Sequence, residues 1–182
     1  MSSHPPGAAL EGIRVLEICD EKGSYCGKLF ADMGAEVIKL ELPAHCDEGD
    51  ATGRAIPPFL RGQVNDESSL HFLYNNINKK SISLDISLAA GRAKVLELAR
   101  NSELLIESLP PGRMAEFGLS ARALHRENPG LVITSISGFG QSGPYRNYKT
   151  ADIVASALGG VMVATGFPED PPVMMAGSQS YV

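Results

Sequence analysis

Short apolar runs alternate along this chain with stretches whose apolar spacing is helical, and that alternation restricts the fold more than any other feature. Ile13 to Ile18 is a nearly continuous apolar run suited to a strand covered on both faces. After a polar turn at Asp20 to Gly23, Tyr25, Leu29, Phe30 and Met33 recur on one helical face, and Gly34 supplies a stop. Ala35 to Glu41 returns to strand character. Strand, helix and strand in close succession make a β-α-β unit, whose strands run parallel.

The alternation continues. Ser81 to Ile86 reads as a short strand, and Leu88 to Arg100 as a helix with Leu88, Val95, Leu96 and Ala99 inward. Glu103 to Ile106 is a strand, and Pro110-Pro111-Gly112 opens a short helix carrying Met114 and Phe117. Ser120 caps another helix through His125, which Asn128-Pro129-Gly130 ends before a buried strand from Leu131 to Ile136. Ala151 to Ala164 is small and apolar, a buried helix, while Leu70 to Tyr74 suits either helix or strand. Residues 1–9 are expected to be a disordered lead. Residues 42–68, rich in proline, glycine and charge, form a long connection of the kind that covers a site or contacts a partner. The pattern predicts an α/β fold with a mostly parallel sheet and helices on both faces.

Composition narrows the function. Hydrophobic content of 43%, charged content of 20% and a net charge of −5 suit a soluble globular chain and argue against a broad nucleic-acid surface. No apolar run approaches a membrane span of roughly 18 residues, and the amino terminus has no secretory pattern. Cys19, Cys26 and Cys46 lack the spacing of a zinc site or a disulfide framework, so reduced thiols and a cytoplasmic setting are expected, without a metal.

The strand from Leu131 runs into Gly138, Gly140 and Gly143. Glycines at a strand end either make a plain turn or let the backbone approach a ligand. There is no phosphate-binding P-loop, no nucleophile elbow and no zinc-protease helix, and His4, His45, His71 and His125 are scattered. Residue patterns alone therefore end at a soluble α/β domain that binds a ligand.

Longer phrases carry a resemblance. Leu10-Glu11-Gly12-Ile13-Arg14-Val15-Leu16, then Ala31 to Glu41 (ADMGAEVIKLE), then Asn78 to Asp85 (NKKSISLD), resemble the opening of the class III CoA-transferases. That family includes formyl-CoA transferase, carnitine CoA-transferase and α-methylacyl-CoA racemase. Pro111-Gly112-Arg113-Met114, Gly118-Leu119, Asn128-Pro129 and Ser135 to Pro144 (SISGFGQSGP) continue in the family's order, in register over residues 10–177. The resemblance implies that residues 10–182 are the first part of a Rossmann-like large domain, without the family's second domain and returning carboxy-terminal segment. It also implies coenzyme A or acyl-CoA as ligand, and an interlocked homodimer or the remaining half of the same enzyme as partner.

In the family CoA is held by the first β-α turn, the strand ending Leu-Asp, the segment before the Pro-Gly motif and the residues ahead of the buried helix. Carried over residue by residue, the resemblance points to Lys22, Leu84, Ser108, Leu109 and Lys149. Lys22 suits either a phosphate contact or a solvated surface position. Arg54, Arg61 and Arg113 are further candidate cations, and Glu116 stands where a basic residue often meets a phosphate. The family's nucleophile is an aspartate five residues after a glycine that follows a Pro-Pro phrase. Here Pro171-Pro172 and Gly177 lead to Val182, which cannot accept an acyl group. Three functions follow: the CoA-binding part of a transferase, an inactive CoA-binding or scaffolding subunit of a tandem enzyme, or a member of the racemase branch.

Overall fold

The computed structural model describes residues 7–43 and 51–181. Five strands form one sheet in the order β3-β2-β1-β4-β5: β1 Arg14–Ile18, β2 Glu36–Glu41, β3 Lys80–Ser83, β4 Leu104–Glu107 and β5 Val132–Ser135. All four neighbouring pairs are parallel. Helices α1 Glu21–Asp32, α2 Ala51–Arg54, α3 Leu70–Asn75, α4 Ala89–Arg100, α5 Arg113–Glu116, α6 Ala121–Glu127 and α7 Asp152–Leu158 connect or flank the strands. This is the α/β arrangement with a parallel sheet that the alternation predicts, Rossmann-like as the resemblance implies, and the segment Leu70–Asn75 resolves to helix.

Both faces of the sheet's central strands, β2, β1 and β4, are buried, which explains their apolar runs. On one face Leu16, Ile18, Leu40 and Leu105 pack with Val95 and Ala99 of α4 and Leu124 of α6. On the other, Val15, Val37 and Ile106 meet Ala31, Phe30 and Cys26 of α1. Glu17 and Lys39, direct register partners on β1 and β2, lie on this second face and are almost wholly buried.

Helix α1 turns a different side inward from the one its large residues suggest. Gly23, Ser24, Gly27 and Ala31 are buried, whereas Leu29 and Met33 are 44% and 45% exposed. Close approach is the cause: a Cβ at Gly23 would collide with Cys19 Sγ, and one at Gly27 with the Glu17 carboxylate. Small residues let the helix settle on a buried polar group.

Further details differ from the sequence pattern. Leu88 is the N-cap of α4 and points outward. Strand β5 is an edge strand, so Val132 is exposed instead of buried. The buried helix over 151–164 is instead α7 followed by a 3-10 helix, Val161–Ala164, because Gly160 takes a left-handed φ of 79°. Helix α7 packs chiefly against this 3-10 helix and a second one, Gln179–Tyr181; these small partners leave Ile153, Leu158 and Val163 exposed. Of the lead, residues 1–6 lie outside the described residues, while Ala8 sits against Gly34 and Leu10 N–H donates to the Met33 carbonyl at the end of α1. The connection over 42–68 is not structureless: it carries α2 and a 3-10 helix, Leu60–Gly62.

Candidate functional site

Parallel sheets present ligands to the carboxyl ends of their strands, where loop backbone and helix starts converge. Three adjacent strands deliver such loops here. Asp20 follows β1, Ser108 to Pro111 follow β4, and Ser137 and Gly138 follow β5. Together with residues 146–150 they line an open cavity of about 600 Å³. Lys22, Ser108, Leu109 and Lys149 line it, four of the five residues that the resemblance points to for CoA, and so does Gly138 of the glycine-rich strand end.

Asp20 organises the β1 side. It is the N-cap of α1 and accepts from the Lys22 N–H at 2.9 Å, while its other oxygen is ion-paired with the Lys22 ammonium. Ser108, almost fully buried, donates its hydroxyl to Asp20 Oδ1 at 2.8 Å and accepts the Asp20 N–H at 2.9 Å. The first β-α turn and the end of β4 are thereby tied together. The Lys22 charge is largely cancelled where it stands.

Net positive charge comes from the segment that follows the glycine-rich turn. Arg146 and Lys149 both line the cavity and are exposed, and among the described residues neither has a carboxylate within ion-pair distance. Their segment is braced by three rings: Phe139, Tyr145 and Tyr148 contact one another at centroid distances of 5.2 to 6.4 Å. Gly138 is needed for packing, because a Cβ there would collide with the Thr150 side chain. Gly140 and Gly143 do different work: they hold left-handed φ values of 80° and 93°, turn the chain, and do not line the cavity.

Leu84 lies elsewhere. It follows β3, two strands from β1, and packs against the core face carrying Leu40. The other candidate cations are also away from the cavity. Arg54 makes a two-pronged contact with Glu41 at 2.8 Å for each bond and stacks over Phe72, and Arg61 is exposed in its 3-10 helix. Arg113 pairs with Glu116 at 2.7 Å, so the carboxylate expected to repel a phosphate faces a guanidinium on α5. His71 bonds Asn75 within α3, and His125 contacts the Leu131 carbonyl. His4, His45, Cys46 and Val182 lie outside the described residues.

Sequence reading did not single out Asp20, Ser137 or Arg146 as cavity residues. Asp20 looked like part of a polar turn, and its role depends on Ser108, 88 residues away. The Ser137 hydroxyl is buried with no hydrogen-bond partner among the described residues. Near the chain's last described residue, burial, with the negative Glu21, Asp152 and Asp20 nearby, pushes the Tyr181 phenol up to about 12. Asp152 accepts the Ser180 N–H at 2.8 Å, fixing that last turn to the start of α7. Among the described residues no group of three or more His, Cys, Asp or Glu is placed to hold a metal, and no helix is long and apolar enough to cross a membrane.

Known proteins share this sequence and fold. A succinyl-CoA–D-citramalate CoA-transferase from Chloroflexus aurantiacus is 39% identical over 94% of this chain and 41% of its own length. A formyl-CoA:oxalate CoA-transferase from Streptomyces avermitilis is 39% identical over 91% of this chain and 38% of its own. The chain thus spans about two fifths of these relatives. A crystal structure of a CAIB/BAIF family protein from Brucella suis superposes with a TM-score of 0.85 at 33% identity, over 96% of this chain and 45% of that one. The profile of CoA-transferase family III matches residues 10–181, from the strand that opens the sheet to the turn fixed by Asp152, and the chain belongs to that family.

Proposed function

We propose that this chain is the CoA-binding portion of a CoA-transferase, and that the whole protein moves CoA between carboxylic acids through an aspartyl intermediate. One observation carries the reading: Lys22, Ser108, Leu109, Gly138 and Lys149, brought forward from separate phrases of the sequence, line a single cavity with unpaired positive charge on one wall. CoA is a long anion with a neutral pantetheine arm. A cleft with cationic residues in its lining suits it. Lys149 is the principal phosphate contact, and Ser108 and Leu109 border the arm. Leu84, Gly140 and Gly143 act at a distance, through core packing and turn geometry.

Two features support the alternative of an inactive or scaffolding subunit. Val182 stands at the family's nucleophile position, and the α7 region presents Ile153, Leu158, Val163 and Phe167 to solvent. Such a surface suits the interlocked homodimer, or the remaining half of the enzyme. A cytoplasmic setting accords with the two cysteines described as free thiols. The racemase branch is disfavoured because His71 and His125 are engaged away from the cavity.

Calorimetry tests the reading. CoA is expected to bind the chain, and Lys149→Ala to weaken binding by about 1.5–3 kcal/mol, the cost of losing a hydrogen bond to a charged group. No heat at millimolar CoA, with folding confirmed by circular dichroism, would defeat it.

A further inference from the structure

We infer that Lys39 is a positioning residue for ligand binding: its buried ammonium holds the first β-α turn, at Asp20, in place against the end of β4. The assignment rests on the CoA-binding reading above. Lys39 does not itself line the cavity; it stands on β2 on the face that α1 covers, 1% exposed. Its Nζ donates to the carbonyl of Cys19, immediately before the turn, at 2.7 Å, and to Ser24 Oγ, just after it, at 3.5 Å. Ser24 Oγ in turn donates to the Asp20 carbonyl at 2.8 Å. A second buried ammonium, that of Lys79, donates to the Ser24 carbonyl at 2.7 Å. The turn is thus held from beneath on both sides.

The consequence lies above the sheet. Asp20 and Lys22 line the cavity, and Asp20 is bonded to Ser108 in both directions, at 2.8 and 2.9 Å. A shift of the turn therefore moves lining residues that follow two different strands. The bond from Lys39 to the Cys19 carbonyl is shorter than its bond to Glu17, 2.7 Å against 3.2 Å. Charge-assisted bonds of that length fix geometry, and replacing the ammonium by an apolar group takes the donor from a buried carbonyl. The turn then has to move for that carbonyl to find another partner. Gly23 N–H and Ser24 N–H both donate to the Asp20 carbonyl, at 3.3 and 3.1 Å, so their exchange with solvent reports the state of the turn.

Calorimetry with CoA and amide hydrogen exchange, on the wild-type chain and on Lys39→Met, Ser24→Ala and Val95→Ala, test this. Lys79 still neutralises Glu17 in Lys39→Met, so that variant is expected to fold. Val95→Ala is the control, because it loosens the core on the other face of the sheet, under α4. Lys39→Met should weaken CoA roughly tenfold and speed exchange at Gly23 and Ser24 relative to Leu105 in the middle of the sheet. Ser24→Ala should do both by a smaller factor, and Val95→Ala neither. Wild-type binding that Lys39→Met and Ser24→Ala leave unchanged overturns the inference and spares the CoA reading. An equal loss of affinity in Val95→Ala does the same, since affinity would then follow overall stability. If Lys39→Met does not fold, Ser24→Ala set against Val95→Ala decides by the same criteria. If wild type does not bind CoA, the CoA reading falls and exchange alone decides: faster exchange at Gly23 and Ser24 in Lys39→Met upholds the hold on the turn, and unchanged exchange overturns that as well.

Discussion

Lys79 Nζ lies 2.8 Å from Glu17 Oε2 as an ion pair and donates a hydrogen bond to Glu17 Oε1 at 3.0 Å, joining the start of β3 to the middle of β1 beneath α1. Lys39 Nζ reaches the same Oε1 at 3.2 Å and the Cys19 carbonyl at 2.7 Å. Side chains of all three residues are at most 1% exposed. One carboxylate thus serves two buried ammonium groups, and its removal takes from both the negative charge they share.

Glu17→Gln is therefore expected to destabilise the chain by about 3–5 kcal/mol in urea unfolding, the cost of breaking a buried pair by deleting one partner. Lys79→Met should cost less, because Lys39 still neutralises Glu17. Burial pushes the Lys79 ammonium down, against the pull of Glu17. A lysine depressed in the folded state binds fewer protons there than when unfolded. Stability should rise with pH between the depressed value and the ordinary one near 10.4, and Lys79→Met should abolish that rise. An equal or greater loss in Lys79→Met than in Glu17→Gln would contradict the account.

Glu107, at the end of β4, borders a second cavity of about 230 Å³ and accepts the Leu109 N–H at 2.8 Å. Burial raises its carboxyl above the usual range, despite hydrogen bonds from Ser135 and Leu109 that favour the ionised form. With a raised folded value, the stability it contributes is present below the unfolded value near 4.3 and lost as pH climbs through the folded one. Glu107→Gln should gain on wild type in urea unfolding between pH 4 and pH 7. A difference constant with pH would remove this assignment.

The glycines after β5 divide by mechanism. Gly138→Ala should push Thr150 outward, cost about 1–3 kcal/mol as an overpacked contact, and weaken CoA binding by moving Lys149. Gly140→Ala meets open space but a left-handed backbone, so it should cost about 1–2 kcal/mol in stability while leaving CoA affinity unchanged. Denaturation and calorimetry on both variants separate the two; equal effects on affinity would contradict the division.

Much of this architecture was legible because it depends on periodicity that a single strand or helix carries by itself. Ile13 to Ile18 announces a strand buried on both faces and Ala35 to Glu41 a second strand, and the turns at Asp20, Gly34 and Asn128 mark where helices begin or stop. What stayed hidden depends on partners far apart in the chain. The inward side of α1 is written in Gly23, Gly27 and Ala31, which no hydrophobic pattern distinguishes, because the reason for smallness is the Glu17 cluster underneath. Lys39 reads as an ordinary strand residue until Glu17 appears as its register partner. Arg146 reads as loop charge until its segment is found lining the same cavity as the loops after β1, β4 and β5. The outward apolar side of α7 could not be foreseen, since burial of a small, apolar helix requires a neighbour that these residues do not supply.

The most direct test of the central claim is to follow backbone amide resonances by NMR while CoA is added. Besides the cavity built by the carboxyl ends of β1, β4 and β5, a polar cavity of about 610 Å³ lies at the opposite ends of the strands, lined by Gly12, Arg14, Asn101 and Glu103. The account predicts saturable shifts concentrated at Lys22, Ser108, Leu109, Gly138 and Lys149, with Gly12 and Asn101 unmoved. Shifts centred on Gly12 and Asn101, or none that saturate, would contradict it.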